Sequence, residues 1–212
     1  MNAMTRQEHA EIDAPLSFSL NGKQVTANAS ESILEVAKRE GLEIPHLCYR
    51  EGMQAVGNCR ACMVEIDGER VLAPSCCRAP TAGMKVVTDS PRAVASQKMV
   101  LELLLSDMPE KAYTRHNELD QWAAKIGVGK PRFEARHSTP SDLSHPAMAV
   151  NLDACIQCTR CLRACRDEQV NDVIGLALAA NTRKLFLTWT TIWGRLPASP
   201  VANACKPAPP GP

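Results

Sequence analysis

Ten cysteines in 212 residues are distributed so unevenly that they fix most of what this chain can become. Cys48, Cys59, Cys62, Cys76 and Cys77 crowd one segment, and Cys155, Cys158, Cys161 and Cys165 crowd another. Cys205 stands apart, and no cysteine lies between 78 and 154. Disulfide scaffolds are secreted and denser in cysteine, whereas clustered thiols in a reducing compartment bind metal. The opening MNAMTRQEHAEIDAP carries no apolar or twin-arginine export signal, so a soluble cytoplasmic protein is expected. No apolar run reaches the roughly 18 residues that span a bilayer, which predicts no membrane insertion. A net charge of +1 gives no reason to expect nucleic acid as a partner. Two metal modules joined by a cysteine-free stretch are predicted.

In the first module, LSFSLNGKQVTANA alternates apolar and polar residues around Asn21-Gly22, which predicts a hairpin. In SILEVAKREG, Ser32 and Glu35 are spaced as a capping box, Ile33, Val36 and Ala37 share a face, and Gly41 supplies the stop. CMVEIDGERVLA predicts a second hairpin turning at Asp67-Gly68, MKVVT a last strand, and Ser90-Pro91 the start of a helix through about Leu105. The fold class is α+β, and strand pair, helix, long loop and strand pair is the order of a β-grasp domain.

Cys48, Cys59, Cys62 and Cys76 on and after the long loop read C-x10-C-x2-C-x13-C. Four thiolates satisfy a [2Fe-2S] cluster, two per iron. Zinc is the alternative, but structural zinc sites show two close C-x2-C pairs, and only Cys59 and Cys62 are close here. Gly52 and Gly57 are expected to let backbone N–H groups approach the sulfurs. Cys77, if on an extended segment, points away from Cys76 and packs as a small buried hydrophobe. His46 is expected to pack or hydrogen-bond beside the site.

CIQCTRCLRAC, residues 155–165, has the C-x2-C-x2-C-x3-C rhythm of bacterial ferredoxins, where such runs come in pairs and the fourth cysteine ligates the other cluster. Cys155, Cys158 and Cys161 are expected to wrap one [4Fe-4S] cube, with Cys165 opening a helix DEQVNDVIGLA. A second run cannot be read, so this is half of a ferredoxin-like domain and its cluster is expected to be incomplete or labile. Between the modules, a helix is predicted around Asn117–Ile126 within a packed connector whose Gly127–Pro146 part is mobile. His116, His137 and His145 read as linker histidines. After about Ala179 no helical or strand period is visible, and Cys205 falls in a disordered tail.

The segments IPHLCY, GNCRACMVEIDGERVLAPSC and VNLDACIQCTRCLRACRDEQVNDVIG resemble the alpha subunit of cytoplasmic NAD-dependent formate dehydrogenases. The first module is also similar to that of the large iron–sulfur subunit of respiratory complex I. The resemblance covers residues 15 to about 178. It implies that Cys48, Cys59, Cys62 and Cys76 are [2Fe-2S] ligands and that the 155–165 cysteines form a ferredoxin-like motif. Complex I-type relatives carry a further H-x3-C-x2-C-x5-C cluster; His116 has no cysteines near it, so that cluster is expected to be absent. The family implies a relay between a molybdenum or tungsten formate site and a flavin subunit that reduces NAD. Flavin/NAD-binding and other iron–sulfur subunits are therefore the expected partners.

The predicted boundaries are a flexible N-terminus over 1–14, a β-grasp [2Fe-2S] domain over 15–92, helix and connector over 93–150, a partial [4Fe-4S] domain over 151–180, and an aberrant tail over 181–212. Ala198, Val201, Ala204 and Ala208 repeat the 3, 3, 4 spacing of a second cysteine run. Permitted codons read one base out of step there give C-x2-C-x2-C-x3-C-P, so a frameshift near 179–181 is the expected origin of the tail. The expected function is the electron-transfer segment of a formate dehydrogenase alpha subunit, with no catalytic residues of its own. A stand-alone diaphorase-type subunit of a hydrogenase or complex I-like assembly is the alternative, and a non-functional truncated product a third reading.

Overall fold

The computed structural model describes residues 15–28, 30–108, 117–135, 141–145, 148–171, 173–177 and 184–187. The expectations for residues 1–14, for His116 and His137, and for the tail beyond 187 with Cys205 and the 198–208 spacing lie outside the described residues.

Two strands, β1 (Leu16–Leu20) and β2 (Lys23–Ala27), pair antiparallel from Leu16 opposite Ala27 to Leu20 opposite Lys23. Asn21 and Gly22 both take positive φ, the backbone twist that a two-residue hairpin demands. Phe18, Leu20, Val25 and Ala27 point inward at period two and are buried. Helix α1 (Ile33–Arg39) begins at the predicted capping box: the Glu35 N–H donates to Ser32 Oγ at 3.3 Å, and the Ser32 N–H donates to Glu35 Oε2 at 2.7 Å. Its buried face of Ile33, Leu34, Val36 and Ala37 joins the strand side chains in one apolar cluster.

Strands β3 (Met63–Ile66), β4 (Ala73–Pro74) and β5 (Lys85–Val87) complete a five-stranded mixed sheet in the order β2-β1-β5-β3-β4. β5 is central, parallel to β1 and antiparallel to β3. β3 and β4 pair at Met63–Pro74 and Val64–Ala73 only, so the predicted second hairpin exists but is short, and the other half of β3 pairs with β5 at Glu65–Val87 and Ile66–Val86.

Helix α2 (Pro91–Ser106) starts where predicted, with the Ala93 N–H donating to Ser90 Oγ at 3.1 Å. Buried Gln97 donates to the carbonyls of Met63 and Thr88, tying α2 to the sheet. Helix α3 (Glu118–Ile126) is capped by Asn117 and ended by Gly127 in the left-handed region. A second apolar cluster of Leu47, Ala61, Leu101 and Leu119 joins the long cysteine loop to α2 and α3, and Ile156 packs against it.

The later part of the chain holds elements that the sequence reading did not place. Part of the connector read as mobile forms a hairpin, β6 (Asp142–His145) with β7 (Met148–Val150). The helix expected after Cys165 is absent. Helix α4 (Arg160–Arg163) runs into a π-helical turn over Ala164–Glu168, and β8 (Ile174–Ala177) then pairs with β9 (Lys184–Leu187). Val170 has φ +52 and stops the helix, because a β-branched residue in the left-handed region cannot continue it. β9 also corrects the reading that no strand lies in the segment after Ala179.

Candidate metal centre

The first cysteine site grows out of α1. The Ile33 and Leu34 N–H groups, which have no partner inside the helix, donate to the carbonyls of Arg78 and Ser75. The turn bearing Cys76 is thereby fixed at the helix start. From the other side, Tyr49 donates its hydroxyl to Glu35 Oε1 at 3.1 Å and locates the loop that carries Cys48. Buried Ser75 donates its hydroxyl to the Cys62 carbonyl at 2.8 Å, while its N–H reaches the same oxygen at 3.0 Å.

Cys48, Cys62 and Cys76 are buried and Cys59 is half-buried. The Cys48 N–H donates to Cys59 Sγ at 3.4 Å, and the Cys59 N–H donates to Cys48 Sγ at 3.5 Å. The Asn58, Ala61 and Cys76 N–H groups reach the sulfurs of Cys48, Cys59 and Cys62 respectively. The thiol contacts run in an unbroken row: Cys59 to Cys48, Cys48 to Cys76, and Cys76 to Cys62. Hydrogen bonds from the Cys59 and Cys76 thiols hold Cys48 far below the ordinary thiol range. The contact with Cys76 lowers Cys62 to about 7 despite burial. The same contacts push Cys59 and Cys76 up. Four soft sulfur donors in a cradle of backbone N–H groups suit thiolate-bound iron. Among the described residues, no three His, Cys, Asp or Glu side chains are arranged to hold a single metal ion.

Cys77 departs from expectation. Residues 74–78 form a turn, with the N–H groups of Cys77 and Arg78 both on the Pro74 carbonyl, so neighbouring side chains do not alternate as on a strand. Cys77 is exposed, and its sulfur lies 3.5 Å from Cys76 Sγ. Gly57 has positive φ, and a Cβ there would stand 3.0 Å from that sulfur; Gly52 meets nothing and serves only its turn. His46 hydrogen-bonds the Ile44 carbonyl through Nδ1 and packs between Tyr49 and Trp122.

Asn151 opens the second cysteine run by accepting the N–H groups of Asp153 and Ala154. Gln157 and Thr159 take positive φ and wind the loop. Cys155 and Cys158 are half-buried and Cys165 is buried. Cys161 is exposed as a residue, yet its thiol is pushed up, first by desolvation against neighbouring atoms and then by Cys158 and Cys155. This run lies directly on the first loop. Asn58 donates to the Gln157 carbonyl at 2.7 Å, Arg160 to the Tyr49 carbonyl at 2.8 Å, and Arg163 to the carbonyls of Gln54 at 2.6 Å and Cys48 at 2.5 Å.

Residues 13–91 match the family model of the 2Fe-2S iron–sulfur cluster binding domain. The chain is also similar to an NADH-quinone oxidoreductase subunit of Rhizobium meliloti (strain 1021), 32% identical over 160 residues, covering 72% of this chain and 19% of that protein. It is similar to the NADP-reducing hydrogenase subunit HndD of Solidesulfovibrio fructosivorans, 33% identical over 171 residues, covering 75% of this chain and 29% of that one. The chain thus spans less than a third of the length of these relatives. Among solved structures, a chain of NAD+-reducing [NiFe]-hydrogenase in the H2-reduced state superposes with a TM-score of 0.76 at 26% identity, over 82% of this chain and 76% of that one.

The segment that matches the 2Fe-2S family model contains Cys48, Cys59, Cys62 and Cys76, which the fold brings together, while Cys155, Cys158, Cys161 and Cys165 lie against its outer loop. Residues that the cysteine pattern did not single out are Asn58, Ser75, Arg160 and Arg163. The arginines flank Cys161 in CTRCLRAC, and two cations inside a cysteine run were the available signal. Among the described residues, no helix is long and apolar enough to cross a membrane.

Proposed function

We propose that this chain is an iron–sulfur electron-transfer module of a multi-subunit NAD(P)-linked oxidoreductase, of the kind found in hydrogenases and NADH-quinone oxidoreductases. Cys48, Cys59, Cys62 and Cys76 are the ligands of its [2Fe-2S] cluster, and Cys155, Cys158 and Cys161, with Cys165, belong to a second, partly supplied [4Fe-4S] centre. The observation that carries this reading is the continuous row of four thiols, with backbone N–H groups aimed at their sulfurs.

Such a cluster, when bound, accepts and releases single electrons. The chain's own residues do the rest. Leu47, Ala61, Leu101 and Leu119 keep water from the inner side of the loop, and the N–H groups neutralise part of the thiolate charge. Arg160, Arg163 and Asn58 hold the second run against the first, which gives electrons a short path between the two centres. A flavin/NAD-binding subunit on one side and another iron–sulfur or catalytic subunit on the other are the partners this requires.

The similarity to hydrogenase and NADH-quinone oxidoreductase chains favours a diaphorase-type subunit over a formate dehydrogenase alpha subunit, and the superposition on most of a hydrogenase chain of similar extent supports the same choice. The formate dehydrogenase reading rests on the cysteine-bearing sequence segments alone. Neighbouring genes separate the two: hydrogenase genes support the first, and an out-of-frame molybdopterin domain downstream supports the second. The cluster assignment is tested by anaerobic purification with iron and sulfide counting and EPR of the reduced protein. A [2Fe-2S] signal is expected; a colourless, zinc-containing protein without inorganic sulfide overturns it.

A further inference from the structure

We propose that Arg163, a residue of the second cysteine run, sets the reduction potential of the first centre by serving as the buried counter-charge of its four thiolates. This inference rests on the ligand assignment given under the proposed function.

The Arg163 residue is only 3% exposed. Its Nη2 donates to the Cys48 carbonyl at 2.5 Å, its Nη1 to the Gln54 carbonyl at 2.6 Å, and its Nε to Thr159 Oγ1 at 3.4 Å. Every one of these acceptors is neutral. A guanidinium keeps its proton at any accessible pH, so burial cannot be relieved by neutralisation. A buried cation without a counter-ion is strongly unfavourable. Among the described residues, no carboxylate stands within ion-pair distance of Arg163. Asp167 acts on it through space only, and its own hydrogen bonds go to Arg166.

Four thiolates with their iron and sulfide carry net negative charge, and the guanidinium is hydrogen-bonded to the backbone carbonyl of Cys48, one of those four residues. One added electron makes the group more negative by one unit. A fixed cation beside it therefore favours the reduced form and raises the potential. Arg160 supplies the contrast. It donates to the adjacent Tyr49 carbonyl, but its charge is already met by Glu118 at 2.6 Å.

The test is an EPR-monitored redox titration of the full chain under anaerobic conditions, with dithionite as the electron donor, after iron and sulfide counting. R163K should keep a midpoint close to that of the unaltered protein. R163M and R163Q should shift it to lower values, although the glutamine retains hydrogen-bond donors. Should both neutral variants fail to hold the cluster while R163K holds it, the counter-charge role is likewise supported. An unchanged midpoint in R163Q overturns the proposal while leaving the ligand assignment intact. Loss of the cluster in R163K as well also overturns it, since geometry rather than charge would then be limiting. Absence of inorganic sulfide in the unaltered protein overturns both readings.

Discussion

Arg160 donates through Nη2 to the carbonyl oxygen of Tyr49 at 2.8 Å, across 111 residues of sequence. Its Nη1 meets the Glu118 carboxylate at 2.6 Å, so one side chain joins the first cysteine loop, α3 and the second cysteine run. Hydrogen bonds from charged groups contribute about 1.5–3 kcal/mol when well buried. Arg160 is partly exposed, and Arg160→Ala should therefore cost about 1 kcal/mol in denaturant unfolding. Limited proteolysis should cut sooner around residues 150–170 while the [2Fe-2S] spectrum persists; protection equal to the unaltered protein would deny Arg160 a docking role.

Five sulfurs surround the first site, yet only four are assigned as ligands. Cys77→Ser should retain two irons and two sulfides per chain, in line with the stoichiometry of a [2Fe-2S] centre. Cys76→Ser should lose most of them. Equal retention in both variants would mean that the two adjacent thiols exchange roles.

Ser75 is fully buried, and its hydroxyl has the Cys62 carbonyl as acceptor. Ser75→Ala removes that donor with little change in volume. The expected loss is about 1 kcal/mol, the usual net worth of one hydrogen bond, because the Ser75 N–H still satisfies the Cys62 carbonyl. Urea titration of the loaded protein measures it, and iron release should quicken in parallel.

Glu35 gives a pH dependence with a defined sign. Burial raises its carboxyl, but the Ser32 N–H, the Ser32 hydroxyl and the Tyr49 hydroxyl lower it further, so it ends below its ordinary value of 4.5. A lowered folded-state pKa contributes stability that is fully present above 4.5 and is lost as pH falls through the folded value. Glu35→Gln should flatten the acid limb of a stability–pH curve. An acid limb of unchanged slope would show that the cap does not report on folding.

Local chemistry made the first module readable. Asn21-Gly22, the Ser32/Glu35 box, Ser90-Pro91 and Asn117 act within a few residues, and each appears where the sequence places it. The four cysteines were legible for a different reason, since thiols at such spacing have few other uses. Cys77 was misread because the turn at Pro74 is set by a hydrogen bond to the start of α1, a contact between distant segments. The β8–β9 pair and the docking arginines were missed likewise. A helical-looking run becomes a strand when another strand is available, and an arginine in a cysteine run looks solvated until its carbonyl acceptors are in place.

The place of β5 at the middle of the sheet has a consequence for biogenesis. Ribosomes deliver Cys48 through Cys76 before Lys85–Val87, the segment that joins the two halves of the sheet. The nascent thiols therefore precede the strand that unites the sheet, so the cysteine cradle is completed only after β5 has emerged.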